Sequence, residues 1–178
     1  MMRCRVTFAQ ETMMDIFEFA MKMEQDGQAF YEKMAGQSAN AALKNILQDL
    51  AHDEVKHYNI FKRFRDGDFS AASEMQSSSK VFQRAKNVFE SIAAKKDFKE
   101  FPTDVVAAWK KAQEIEKKSE DFYREKAASA ENEKARKTIM LIADEEHKHW
   151  ALIENVLQFL ERPKQWLEDA EWNNLDRY

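Results

Sequence analysis

Two glutamate–histidine pairs share one spacing in this sequence: Glu54-x-x-His57 and Glu146-x-x-His149. Each is preceded by a glutamate with a tyrosine seven residues on, Glu24 with Tyr31 and Glu116 with Tyr123. On an α-helix, a seven-residue step is close to two full turns and a three-residue step sets side chains next to each other. Each group therefore lies on a single face, on the stripe where an amphipathic helix carries its apolar residues. Four carboxylates buried there without partners would be severely destabilising. Two divalent cations remove that cost, because four carboxylates neutralise two such ions and two imidazoles complete the shell. The candidate metal ligands are thus Glu24, Glu54, His57, Glu116, Glu146 and His149.

A lone Glu-x-x-His is common and by itself reads as a solvated helix face. The register of the two copies carries the argument. A shift of 92 residues places Ala20, Glu24, Phe30, Tyr31 and Ala35 on Ala112, Glu116, Phe122, Tyr123 and Ala127. The same shift places Ala51, Glu54, Lys56 and His57 on Ala143, Glu146, Lys148 and His149, with no gap between matched positions. This is a duplicated helix pair, and two copies do not make a solenoid. His52 and His147 do not repeat and are expected at the surface. Tyr31 and Tyr123 are expected as hydrogen-bonded or core residues beside the ligands rather than as radical sites. Asp53 and Glu145 precede Glu54 and Glu146 and are candidates for orienting the imidazole N–H groups. Phe17, Phe30, Trp109 and Phe122 are expected in the core.

The elements that must carry these residues are long helices. A Thr12-x-x-Asp15 capping pattern opens the first, whose stripe runs through Phe17, Ala20, Met21, Glu24, Gln28, Tyr31 and Ala35 to a stop at Gly36. Ser38 is the expected cap of a second helix ending near Asp66-Gly67. Residues 68–79 read as a loop, and a shorter helix is expected over about Lys80–Lys95. Pro102 and Thr103 open a helix running to about Ser129, and a last one runs from about Asn132 to Leu160, before Pro163. The division is an N-terminal extension over 1–12, a bundle over 13–162, and a tail over 163–178 whose aromatic residues pack on the bundle or on a partner.

Composition agrees with this reading. Three glycines and two prolines in 178 residues leave few turn-makers, so an all-α fold is expected. The 28 basic and 32 acidic residues give a net charge of -4 and are intermixed, so no basic stripe suggests nucleic acid. No apolar run reaches the roughly 20 residues of a membrane span, and residues 1–12 lack the apolar stretch of a signal peptide, so cytoplasmic residence is expected. The single cysteine, Cys4, allows neither an internal disulfide nor a Cys-x-x-Cys metal knuckle.

A glutamate from each of two helices and Glu-x-x-His from each of two others is the pattern of di-iron and di-manganese carboxylate bundles. Over about residues 13 to 160 the sequence resembles the rubrerythrin branch of the ferritin-like superfamily, on Glu24-x6-Tyr31, Asp53-Glu54-x-x-His57, Glu116-x6-Tyr123 and Glu145-Glu146-x-x-His149. The resemblance implies a ferritin-like four-helix bundle with a long crossover between its second and third helices, here Gly67 to Pro102. It further implies that Glu54 and Glu146 bridge two irons, that Glu24 and Glu116 are terminal ligands, and that His57 and His149 bind one iron each. Tyr31 and Tyr123 would hydrogen-bond to ligand carboxylates.

Two departures stand out. Rubrerythrins carry a further glutamate ligand three residues after the third-helix glutamate, where this chain has Ser119, matched by Gly27 in the first repeat. Glu120 lies one position off. The four cysteines of a rubredoxin module are also missing from these residues. The activity implied is a non-haem di-iron oxidoreductase reducing hydrogen peroxide or O₂ with an external electron donor, a rubredoxin-like protein or a flavoprotein. A ferroxidase or iron-handling protein shares every ligand and is the alternative, and an interaction or cargo module is a further one. Carboxylates and imidazole also suit Mn or Zn. A homodimer is expected.

Overall fold

The computed structural model describes residues 8–68, 70 and 102–162, with side chains from residue 16 onward. Four α-helices are present among these residues: α1 over Phe8–Gln37, α2 over Ala41–Arg65, α3 over Thr103–Ser129 and α4 over Glu133–Glu161. The described chain is an all-α bundle in which α1 packs along α2 and α3 along α4, with far less contact between the pairs. The expected short helix over Lys80–Lys95 and the tail over 163–178 lie outside the described residues.

The helix boundaries follow local chemistry. α1 is already helical at Phe8, so Thr12 lies inside it and does not cap it. The intervening Ala-Gln-Glu run is helix-forming and holds no breaker. The cap of α2 is Asn40 rather than Ser38: the Asn40 side-chain oxygen accepts from the backbone N–H groups of Ala42 at 2.9 Å and Leu43 at 3.1 Å. Ser38 instead donates to the Asn40 carbonyl at 3.1 Å and so shapes the turn that presents the cap. Asn132 caps α4 in the same way, accepting from Lys134 at 2.9 Å and Ala135 at 3.1 Å. Each such cap satisfies two of the donors that a helix start leaves open. At the other end of α2, Gly67 takes φ +87°, a conformation that glycine adopts without steric cost, and its N–H returns to the Phe64 carbonyl.

The apolar residues form two clusters, one toward each end of the bundle. One gathers Leu43, Ile46, Leu47 and Leu50 of α2 with Trp109 of α3 and Leu152, Ile153, Val156, Phe159 and Leu160 of α4. The other gathers Phe17, Ala20 and Met21 of α1, Ile60, Phe61 and Phe64 of α2, Tyr123 and Ala127 of α3, and Ile139 and Ile142 of α4. Phe17 and Trp109 are buried, whereas Phe30 and Phe122 are partly buried and pack on the outside of the clusters. Along every helix the candidate ligands fall between the two clusters: on α2, Glu54 and His57 separate Ala51 from Ile60, and on α4, Glu146 and His149 separate Ala143 from Ala151. The bundle thus has apolar packing above and below one polar layer.

Candidate metal centre

Each helix delivers its ligand candidates to this layer: α1 brings Glu24, α2 Glu54 and His57, α3 Glu116, and α4 Glu146 and His149. All six are buried, none more than 4 % exposed. They form two overlapping sets, Glu24–Glu54–His57–Glu146 and Glu54–Glu116–Glu146–His149, and within each set the donor atoms lie within 4.8 Å of one another. Glu54 and Glu146 belong to both sets. The two carboxylates of Glu-x-x-His are therefore placed between two donor groups, and Glu24 and Glu116 each stand at one side.

The histidines face inward through Nδ1. His57 Nδ1 lies 2.9 Å from Glu146 Oε1, 3.3 Å from Glu24 Oε2 and 3.8 Å from Glu54 Oε2. His149 Nδ1 lies 3.6 Å from Glu116 Oε2 and 3.8 Å from Glu54 Oε1. The two oxygens of Glu54 thus divide between the two imidazoles, whose rings are stacked 5.6 Å apart. On its far side, His149 Nε2 meets Asp53 Oδ2 at 3.5 Å. Asp53 is itself buried and ion-paired to the partly exposed Lys56, so a chain of charges runs from the surface to the imidazole. Glu145 is buried and paired to Lys148 at 2.6 Å.

The tyrosines cross between repeats. Tyr31 of the first helix pair donates to Glu116 Oε1 of the second, and Tyr123 donates to Glu24 Oε1. Burial and the surrounding carboxylates hold both phenols well above their ordinary pKa, so they remain donors. This pairing cannot be read from the Glu-x6-Tyr spacing, which only puts each tyrosine on the face of its own repeat's glutamate.

The layer balances its charge with protons when no cation is present. Burial, then the neighbouring carboxylates, raise Glu54 well above the usual range and Glu146 to about 8. Burial would also raise Glu24 and Glu116, but the facing His57 and His149 respectively outweigh it and hold them low. Burial pushes His57 down, yet Glu146 and Glu24 bring it up to about 10, and His149 is raised by Asp53 and Glu116. The shifts thus favour the protonated form of Glu54, Glu146 and both imidazoles and the ionised form of Glu24 and Glu116.

Hydrogen bonding does not satisfy this arrangement. Among the described residues, His57 Nδ1, Glu146 Oε1 and His149 Nδ1 are buried without a hydrogen-bond partner. The short His57–Glu146 approach has the distance but not the direction of a hydrogen bond. Buried polar atoms are rarely left in this state, and here they are donor atoms converging on shared points. The residues fit two cations, with Glu54 and Glu146 common to both.

Two further residues complete the surroundings. Gly27 sits inside α1 without the positive φ that would demand glycine, and a Cβ there would come within 3.3 Å of Glu54 Cδ. A mid-helix glycine costs about 1 kcal/mol relative to alanine, and here the three atoms nearest to an added Cβ all belong to Glu54. Glu120 is also buried, but it is held by Arg124 at 2.8 Å, His147 Nδ1 at 3.2 Å and Lys117 at 3.3 Å, and it belongs to neither donor set. His147, partly exposed as expected, stacks on Trp150 beside it. His52 is exposed.

No helix among the described residues is long and apolar enough to cross a membrane. Searches among curated proteins and among solved structures found no match to this chain. The rubrerythrin family model matches residues 15–157, which takes in most of α1 and α4, the whole of α2 and α3, and every donor residue above. With the duplicated helix pairs and the shared carboxylates already in place, the chain belongs to the rubrerythrin family.

Proposed function

We propose that this protein is a non-haem di-iron oxidoreductase that reduces hydrogen peroxide with electrons from a separate donor protein. The observation that carries the reading is the sharing of Glu54 and Glu146 between two four-residue donor sets. Two irons held this way, each changing valence by one, would supply the two electrons that cleavage of the peroxide O–O bond consumes. Zinc could occupy the same donors but could not supply electrons. Glu24, Glu54, Glu116 and Glu146 would neutralise the cations, and His57 and His149 would each complete one set through Nδ1. Tyr31 and Tyr123 fix the outer carboxylates by donating to one oxygen of each, leaving the other oxygen for the cation. The apolar clusters on either side of the layer limit water and so protect the reduced centre from uncontrolled reaction. A donor such as a rubredoxin-like protein or a flavoprotein would return the electrons, since these residues hold one cysteine and no rubredoxin-type cysteine set.

The test is metal analysis followed by absorption spectroscopy of the anaerobically reduced protein. Two irons per chain, with ferric absorption appearing faster on peroxide than on dioxygen and peroxide consumed stoichiometrically, support the peroxidase. Rapid Fe(II) oxidation by dioxygen with more than two irons retained per chain would replace it with a ferroxidase. Failure to bind Fe(II) or Mn(II) would overturn the metal-centre reading altogether.

A further inference from the structure

We infer that Gly27 is a positioning residue for the metal centre: its missing side chain lets the shared carboxylate Glu54 lie against the α1 backbone, at the place where its two oxygens serve both donor sets. The inference rests on the metal-centre reading and adds to it a residue that is no ligand and has no polar side chain.

The argument is steric. Gly27 lies within an uninterrupted helix, and among the described glycines only Gly67 has a positive φ, so the backbone does not require glycine at position 27. Gly36, also in α1, shows what a glycine without a packing reason looks like, since a Cβ added there would meet nothing within 4 Å. At Gly27 the added Cβ would meet Glu54 Cδ at 3.3 Å, Cγ at 3.5 Å and Oε1 at 3.6 Å. All three nearest atoms belong to one side chain, and that side chain is common to both donor sets. Contact at 3.3 Å would make Glu54 give way by a few tenths of an ångström. Both donor sets feel such a shift, because Oε1 faces His149 and Oε2 faces His57 at 3.8 Å each. A displacement there would loosen both positions at once.

The repeat makes the point sharper. The position matching Gly27 in the second half is Ser119, half-buried and bearing a Cβ. The two halves therefore differ here, and the position that lies against Glu54 is the one with no side chain.

The experiment measures Co(II) binding by titration and visible absorption, with thermal melting of the metal-free protein, for wild type, Gly27→Ala, Ser119→Ala, Glu54→Asp and the double variant Gly27→Ala/Glu54→Asp. If Gly27 positions Glu54, Gly27→Ala melts at or above the wild-type temperature, by about 2–4 °C from improved helix propensity. It nevertheless loses about 10- to 100-fold in Co(II) affinity with an altered spectrum. Ser119→Ala changes neither. In the Glu54→Asp background, where the side chain is one methylene shorter, Gly27→Ala has a smaller effect, because the contact has been relieved. Wild-type affinity and spectrum in Gly27→Ala would overturn the inference and leave the metal centre standing. Absence of Co(II) binding by the wild type would overturn both. Should Gly27→Ala fail to fold, recovery in the double variant supports the inference, and failure of both variants overturns it.

Discussion

Metal binding is expected to release four protons per chain near neutral pH. The number follows from the charge state of the polar layer. Without metal, Glu54 and Glu146 are neutral acids, since burial and mutual repulsion raise the first well above its ordinary range and the second to about 8. His57, raised to about 10, and His149 are cations, while Glu24 and Glu116 remain ionised. The layer is neutral in this state. Two divalent cations with four carboxylates and two neutral imidazoles are also neutral, so the exchange is two cations for four protons. Well below pH 8, where Glu146 keeps its proton, the product of the two binding constants should rise by up to about four powers of ten per pH unit. Titrating metal-free protein with Zn(II) in dilute buffer with a pH indicator reads the count directly, and calorimetry in buffers of different ionisation enthalpy gives it independently. Zn(II) is suitable because it has no redox chemistry to consume or produce protons. Release of fewer than two protons would refute the reasoning, since it would mean that the layer stores its charge in some other way.

The same shifts set the acid–base stability of the metal-free protein. Glu146 and His57 have folded pKa values of about 8 and about 10, above their ordinary 4.5 and 6.5. The native state then holds more protons than the unfolded chain across that window, so stability should fall from about pH 5 to pH 9, by up to about 1.4 kcal/mol per pH unit for each proton. Asp53, lowered to about 2 against an ordinary 3.8, contributes stability that is lost as pH falls through 2. Denaturant melts at several pH values check this, and a metal-free protein more stable at pH 9 than at pH 6 would contradict it. Glu54→Ala or Glu146→Ala should abolish binding of both metals, because each serves both sets, whereas Glu24→Ala should spare the set of Glu54, Glu116, Glu146 and His149. Metal content by elemental analysis separates the cases. Tyr123→Phe removes the donor to Glu24 and should weaken the position of Glu24 and His57 by about 10- to 100-fold in a metal titration, with the other position little changed.

Much of the centre was legible because helical periodicity and the 92-residue shift act together. Spacing alone places Glu54 beside His57 on one stripe, and the repeat supplies the matching pair without any knowledge of packing. What spacing cannot supply is which helix faces which. That Tyr31 reaches Glu116 and that Asp53 reaches His149 are facts of packing between helix pairs, invisible along one chain. Boundaries failed where two residues of similar chemistry compete. Ser38 and Asn40 are both capping types, and only Asn40 has its side-chain oxygen in reach of two backbone donors. Thr12 looked like a start because it begins a capping pattern, but the preceding residues are good enough helix-formers to carry α1 through it. Glu120 illustrates the reverse case, a buried carboxylate that lies one position off the expected glutamate and is held by Lys117 and Arg124 of α3 and by the His147 ring of α4 rather than by the centre.

The crossed tyrosine–glutamate bonds bear on how such a chain can arise and assemble. Each helical hairpin carries one glutamate, one Glu-x-x-His and one tyrosine, yet the tyrosine completes its neighbour's half and not its own. A solitary hairpin of this kind holds half a cage and becomes whole only by meeting a second. Joining two in one polypeptide replaces that encounter with a tether, for which effective concentrations are on the order of millimolar. Once joined, the halves are free to diverge, as Gly27 and Ser119 have, while the geometry they share is kept by the other hairpin's phenol.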